Sequence, residues 1–249
     1  MTLHPLAEQF ASVADAYERG RPEYPPAVVG AIAAELGLPP HATVLDLAAG
    51  TGKLTRALLA AGVDVVAVEP QAPLREKLAA RVGAERVRDG FAEAIPLPDA
   101  SVDAVTVADA IHWFDQAAAL AEIARVLRPR GGLAVLSTIP DWRGASWADE
   151  IGKVMERVRP EHPGFDAPPW RDVVRAVGGW SPLREIRVTS SRAADAEATV
   201  DYLASVSWIA AMPDEQRAET LAQLAALIAD GETPAELGVH VVIALTELC

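Results

Sequence analysis

The run VLDLAAGTGKLT, residues 44–55, constrains this chain most. Val44, Leu45 and Leu47 are apolar and β-prone, as a strand covered on both faces requires. Asp46 interrupts them with a carboxylate. Gly50 and Gly52 then let the backbone turn sharply and approach a ligand closely. From Lys53 to Ala61 the spacing becomes helical, with Leu54, Leu58 and Ala61 on one stripe. A strand, glycine turn and helix at the front of an alternating α/β chain form a site for nucleotide-like ligands. A phosphate loop of the GxxxxGK[ST] type is excluded, because Leu47 and Leu54 stand where Gly and Ser or Thr would be needed. A dinucleotide fingerprint would need a third glycine where Thr55 stands.

The pattern around this turn argues for an α/β fold. Helical spacing covers 28–36, 53–61, 71–82 and 117–127. Strand-like runs fall at 44–48, 63–68, 85–88, 102–108 and 133–139. Pro129 and the Gly131–Gly132 pair punctuate the last helix-to-strand step. This βαβα rhythm predicts a mostly parallel sheet with helices on both faces and its strand-end loops gathered along one edge. After Ile139 the rhythm changes. Residues 140–180 are rich in Trp, Pro and Gly, with a helix near 146–158. A strand at 183–191, helices near 198–210 and 213–229, and an apolar strand at 239–245 complete the chain. The 249 residues suffice for one large domain with insertions.

Charge and cysteine content narrow the function. The net charge of −13 repels nucleic-acid phosphate, and no Lys/Arg cluster interrupts it, so nucleic acid is not expected as a partner. No apolar run approaches the ~18 residues of a membrane span, and no signal peptide is recognisable, which predicts a cytoplasmic protein away from membranes. Cys249 is the single cysteine, so the chain cannot form an internal disulfide or a Cys-based metal site. His4, His41, His112, His162 and His240 lack ligand spacing, and no metal is expected.

The turn resembles motif I of the class I S-adenosylmethionine (SAM)-dependent methyltransferases, an acid followed by alternating small residues and glycines. Here it reads Asp46, Ala48, Gly50, Gly52, with Ala48 where the family usually has Gly. The second strand ends in Glu69, followed by Pro70; a carboxylate there can accept bonds from both hydroxyls of a ribose. The segment DGFAEAIPLPDASVDAV, 89–105, is similar to the family segment that wraps the adenine, which carries over Gly90, Phe91 and Ala92, with Glu93 nearby. VADAIHWFD, 107–115, is similar to the family's run beside the transferable methyl group. It places Ala108 on the cofactor and His112 and Trp113 on the floor of the acceptor pocket, with Asp109 where Gln is usual. An imidazole is easily poised as a base near neutral pH, so His112 is the catalytic candidate, a structural histidine being the alternative.

FASVADAYERGRPEYPPAVV, 10–29, resembles the element that folds over SAM in small-molecule members similar to the trans-aconitate methyltransferases. It makes Tyr17 and Arg21 candidates for the methionine end of SAM. The resemblance implies a Rossmann-like, mostly parallel seven-stranded sheet with an antiparallel C-terminal strand and helical lid insertions. Residues 1–40 would form an N-terminal lid, 41–139 the SAM-binding core, 140–235 the substrate lid with strand 6, and 236–249 the last strand. It also implies methyl transfer to a small-molecule acceptor. The insertion concentrates aromatics and arginines, which makes Trp142, Arg143 and Trp147 candidates to line the acceptor pocket. Packing of those tryptophans against the sheet is the alternative. Two other functions stay open, a SAM-binding regulatory protein without catalysis and an NAD(P)-dependent oxidoreductase.

Overall fold

A computed structural model describes residues 2–167 and 169–249. Its centre is a seven-stranded sheet in the order β3-β2-β1-β4-β5-β7-β6. The strands are β1 (Thr43–Leu47), β2 (Asp64–Val68), β3 (Val87–Arg88), β4 (Val102–Ala108), β5 (Leu127–Asp141), β6 (Arg184–Ala193) and β7 (Glu236–Glu247). β3, β2, β1, β4 and β5 run parallel, while β7 lies antiparallel between β5 and β6. The mostly parallel, seven-stranded expectation therefore holds, and the antiparallel strand is the C-terminal one.

Period-two alternation sends strand side chains to two cores. Leu45, Leu47, Val105, Val107, Leu133 and Val135 face one side. Val44, Ala104, Ala134, Leu136, Val241 and Ile243 face the other. The first face is covered by α6 (Gln116–Val126) and α9 (Trp170–Val177), through Leu120, Ile123, Trp170 and Val174. The second is covered by α3 (Pro26–Glu35) and α4 (Lys53–Ala60), through Val28, Ile32, Leu54 and Leu58. α5 (Ala72–Val82) seals the β2 end with Leu78 and Val82.

Three departures from the sequence reading have local causes. α3 falls inside the expected lid but is a core helix, because Val28, Val29 and Ile32 are fully apolar and dock on the sheet. The lid proper is α1 (Pro5–Glu8) and α2 (Ala14–Gly20). β5 begins six residues earlier than its apolar run, at Leu127. Its register to β4 jumps from Val102/Leu127 to Ala104/Gly132, so Pro129 and Arg130, at φ +65°, sit in a bulge within the strand. The helix expected at 198–210 divides into α10 (Ala196–Ala204) and α11 (Ser207–Ala210). α7 (Ala148–Val158), α10 and α12 (Asp214–Asp230) enclose a separate apolar cluster built on Trp147, Ile151, Leu203, Leu224 and Ile228. A four-residue helix, α8 (Pro163–Asp166), precedes α9.

The chain leaves β1 toward β2 and β3 on one side, then returns to place β4 on the other. Loops after β1 and β4 diverge at such a reversal and open a crevice outside the strand ends. The described residues contain no helix long and apolar enough to cross a membrane.

Candidate functional site

The crevice starts at the turn between β1 and α4. Its backbone takes positive φ at alternate residues: Ala48 at +57°, Gly50 at +58° and Gly52 at +88°. Two of the three are glycines because an L side chain is strained there. Ala48 accepts that strain, and its family counterpart is usually Gly. Asp46 is buried beneath the turn and accepts bonds from Thr55 Oγ1 (2.5 Å) and Thr106 Oγ1 (3.1 Å). It thereby ties β1 to β4 and to the first turn of α4. Burial pushes its pKa up to about 6, against the pull of the two hydroxyls. Thr55 replaces the third glycine of a dinucleotide fingerprint and spends its hydroxyl on this strut. Gly52 does not line the cleft. A Cβ there would strike Leu78 of α5, so its role is close packing of α4 on α5.

Beside the turn opens a cleft, part of it open to solvent. Ala48, Gly50, Glu69, Pro70, Gly90, Phe91, Ala92 and Ala108 all line it, as the sequence led us to expect. Glu69 is buried, and its two oxygens accept the N–H groups of Gly50 (2.9 Å) and Gln71 (2.9 Å). Each oxygen keeps a lone pair for a further donor. Burial raises the Glu69 pKa to about 7, opposed by these two amides and by Arg75. Leu74 and Phe114 join Phe91 and Ala92 in an apolar wall.

The lid closes the opposite side. Phe10 stacks edge-on against Tyr17 (5.9 Å) and Trp113 (6.0 Å), and Gln71 Nε2 donates to the Ala7 carbonyl (3.0 Å). Thr2, Leu3 and Ala7 also reach the cleft. The sequence reading missed these N-terminal residues and Gln71, although the apolar positions Leu3, Leu6 and Phe10 were a usable signal.

Deeper in, the cleft meets a polar chamber lined by Arg21, Tyr24, Asp109 and Thr138. Asp109 sits at φ +53° after β4, a conformation Asp tolerates better than most residues. Its carboxylate accepts the Thr138 N–H (2.7 Å) and the Tyr24 hydroxyl (3.3 Å). Burial raises its pKa. Burial likewise lifts the Tyr17 phenol to about 12. Arg21 is partly buried; Nε and Nη2 donate to Ser205, and the guanidinium lies over the rings of Tyr202 (4.6 Å) and Tyr17 (5.3 Å). Burial opposes its charge, but Tyr202, Tyr17 and Asp109 more than compensate. Among the described residues no carboxylate forms an ion pair with it. A partly buried, charged Arg without an anion facing a cavity is an incomplete site.

These features fit SAM. The free lone pairs of Glu69 suit a vicinal diol, the Phe91–Phe114 wall suits a purine, and Arg21 with Asp109 matches the two charges of an amino-acid end.

Besides Gly52, four expected residues lie elsewhere. His112 does not line the cleft; its ring packs against Trp113 (4.6 Å) and His162 (5.4 Å), and burial holds its pKa down near 4. It is a weak base at neutral pH. Trp142 and Trp147 belong to the α7–α10–α12 cluster, edge-on at 5.4 Å, and Trp147, 2% exposed, donates its N–H to Thr233 (2.8 Å). Arg143, 84% exposed, is spent on a bidentate pair with Asp141. Of the expected acceptor residues, only Trp113 reaches the cleft.

Residues 45–135 match the family model described as a methyltransferase domain. An uncharacterized methyltransferase of Mycobacterium tuberculosis is 40% identical over 225 residues, covering 90% of this chain and 87% of its own. An uncharacterized methyltransferase-like protein of Schizosaccharomyces pombe is 33% identical over 226 residues, covering 88% and 87%. A solved structure from Anaeromyxobacter dehalogenans, titled as a candidate type II methyltransferase, superposes with a TM-score of 0.64 at 26% identity, covering 91% of this chain and 97% of that one.

Proposed function

We propose that this chain, which belongs to the methyltransferase family, transfers the methyl group of SAM to a small-molecule acceptor. The observation that carries the reading is Glu69, a buried carboxylate with a free lone pair on each oxygen, set in a cleft at the strand reversal. The partly buried Arg21, which lines the same cleft, supports it, since the two would grip opposite ends of one ligand. The trans-aconitate branch is a finer assignment that Tyr17, Arg21 and the RPEYP element support by resemblance.

SAM supplies an activated methyl group on a sulfonium, so little acid–base chemistry is asked of the protein. Glu69 would hold the ribose hydroxyls and Arg21 the carboxylate. Asp109 would hold the ammonium, and Phe91, Ala92 and Phe114 the purine. Fixing both ends leaves the reacting carbon one orientation, which is catalysis by positioning. Phe10, Tyr17 and Trp113 would exclude water from that carbon. His112 has no place in this scheme, because it faces away from the cleft and is neutral. The closed lid and the net charge of −13 favour a small acceptor over a nucleic acid. Titration calorimetry with SAM and S-adenosylhomocysteine is expected to give micromolar binding, about −8 kcal/mol. No heat from either at millimolar concentration would end the reading. Labelled SAM incubated with metabolite fractions then identifies the acceptor.

A further inference from the structure

Glu18 is a partly buried acid that the scheme above leaves unused. It stands on α2, one residue from Tyr17 and three from Arg21, and points away from the cleft. Its side chain is 17% exposed. Through Oε1 it pairs with Arg81 of α5 and with Arg56 of α4 (3.2 Å), and Lys53 Nζ lies 3.8 Å away. Its other oxygen and the Thr51 hydroxyl of the glycine turn are near each other and both buried, and neither makes a hydrogen bond. Burial opposes the Glu18 charge, but Thr51, Lys53, Arg56 and Arg81 together hold its pKa below the usual value. One carboxylate therefore touches the turn, α4 and α5, all of which frame the cleft.

The other side of α2 is fastened too. Arg19 makes a bidentate pair with Asp201 of α10 (2.6 and 3.0 Å). Gly20 presses on the α10 backbone so closely that a Cβ would run into Asp201 and Tyr202. The seven-residue helix α2 is thus wedged between the turn and the insertion. A helix this short has little intrinsic stability, so its place is set by these anchors.

We propose that Glu18 is a positioning residue for the cofactor cleft: by clamping α2 to Arg56 of α4 and Arg81 of α5 it fixes where Tyr17 and Arg21 stand. This rests on the SAM reading. It carries a consequence for the opposite anchor, since Asp201 of the insertion would act on the cofactor through the same helix.

The test is calorimetric titration of S-adenosylhomocysteine into Glu18→Gln, with the surface variant Glu76→Gln as control. Glu18→Gln is expected to weaken binding about tenfold, and Glu76→Gln less than about twofold. In a Tyr17→Ala background the Glu18→Gln loss is expected to shrink to under about threefold, because the helix then has less to position. Unchanged affinity in Glu18→Gln overturns the proposal. So does a full tenfold loss in the Tyr17→Ala background, which would mark a direct field effect. Should Glu18→Gln fail to fold, Arg81→Met breaks the same clamp from α5, with the same expected loss and the same overturning result. If the parent protein binds no S-adenosylhomocysteine, the SAM reading fails by itself. Hydrogen exchange then decides the clamp: faster exchange over residues 14–20 in Glu18→Gln supports it, and equal exchange overturns it.

Discussion

Arg21 and Arg143 look alike in the sequence, each beside aromatic residues in a segment that suggests a lid. In the structure one lies partly buried between two tyrosine rings and, among the described residues, forms no ion pair, while the other is exposed and neutralised by Asp141. The same contrast separates their regions. The lid and the strand reversal hold polar groups with unused bonding capacity: Glu69, Arg21 and Asp109. The Trp142–Trp147 region holds groups that satisfy each other, down to the indole N–H on Thr233. Aromatic and arginine content marks burial as readily as binding; unspent hydrogen-bonding capacity at a cavity is the better sign of a ligand.

The largest expected effect tests the second region as core. Trp147→Ala should lower folding stability by about 3–5 kcal/mol, read by denaturant unfolding, while the remaining folded protein binds SAM as the parent does. A stable variant that has lost turnover would instead make this cluster an acceptor wall.

Arg21→Met and Arg143→Met set the two arginines side by side. The first should weaken SAM by about 3 kcal/mol, and the second by under about 0.7 kcal/mol, measured by calorimetry. Equal effects would erase the distinction drawn between them.

Glu69→Gln should cost about 1.5–3 kcal/mol of SAM binding. A pH signature accompanies it. Because the free protein holds the Glu69 proton up to about pH 7 and ribose hydroxyls prefer the ionised carboxylate, binding lowers that pKa. Affinity of the parent should therefore rise from about pH 6 to 8 and level off above, at no more than tenfold per pH unit, whereas Glu69→Gln should be flat in that window. A parent affinity that falls over the same range would show that the protonated acid is the binding form.

The smallest effect concerns the turn. Ala48→Gly should stabilise the protein by about 1 kcal/mol, by relieving a left-handed alanine, with SAM affinity within about twofold. A loss of stability would mean that the methyl group packs usefully against its surroundings, as its place beside the Leu45–Leu47 core allows.

Much of the site was legible because its signals are local. Gly50 reports a positive φ, and Glu69 reports a strand end beside a turn, from sequence neighbours alone. Asp46 and Gly52 are expected from the sequence to bind the cofactor, yet the contacts the structure gives them are internal: a strut to Thr55 and Thr106, and a close approach to Leu78. Those partners lie on other elements, so no local pattern announces them. α9 was missed although its signal is local: Trp170, Val173, Val174 and Val177 stand at the i, i+3, i+4, i+7 spacing of an apolar stripe.

The sequence by itself determined the order and type of the core elements, the positive-φ turn, and the family whose motifs the chain carries in order. These are set by backbone sterics and by hydrophobic period, which act between near neighbours. Only the tertiary structure decided which charged side chains are spent and which are free. Asp141 neutralises Arg143 two residues away, whereas Arg21 is enclosed by Tyr202 and Ser205 from the far end of the chain. Electrostatics and desolvation act through space, and the distances that decide them exist only after the chain has folded.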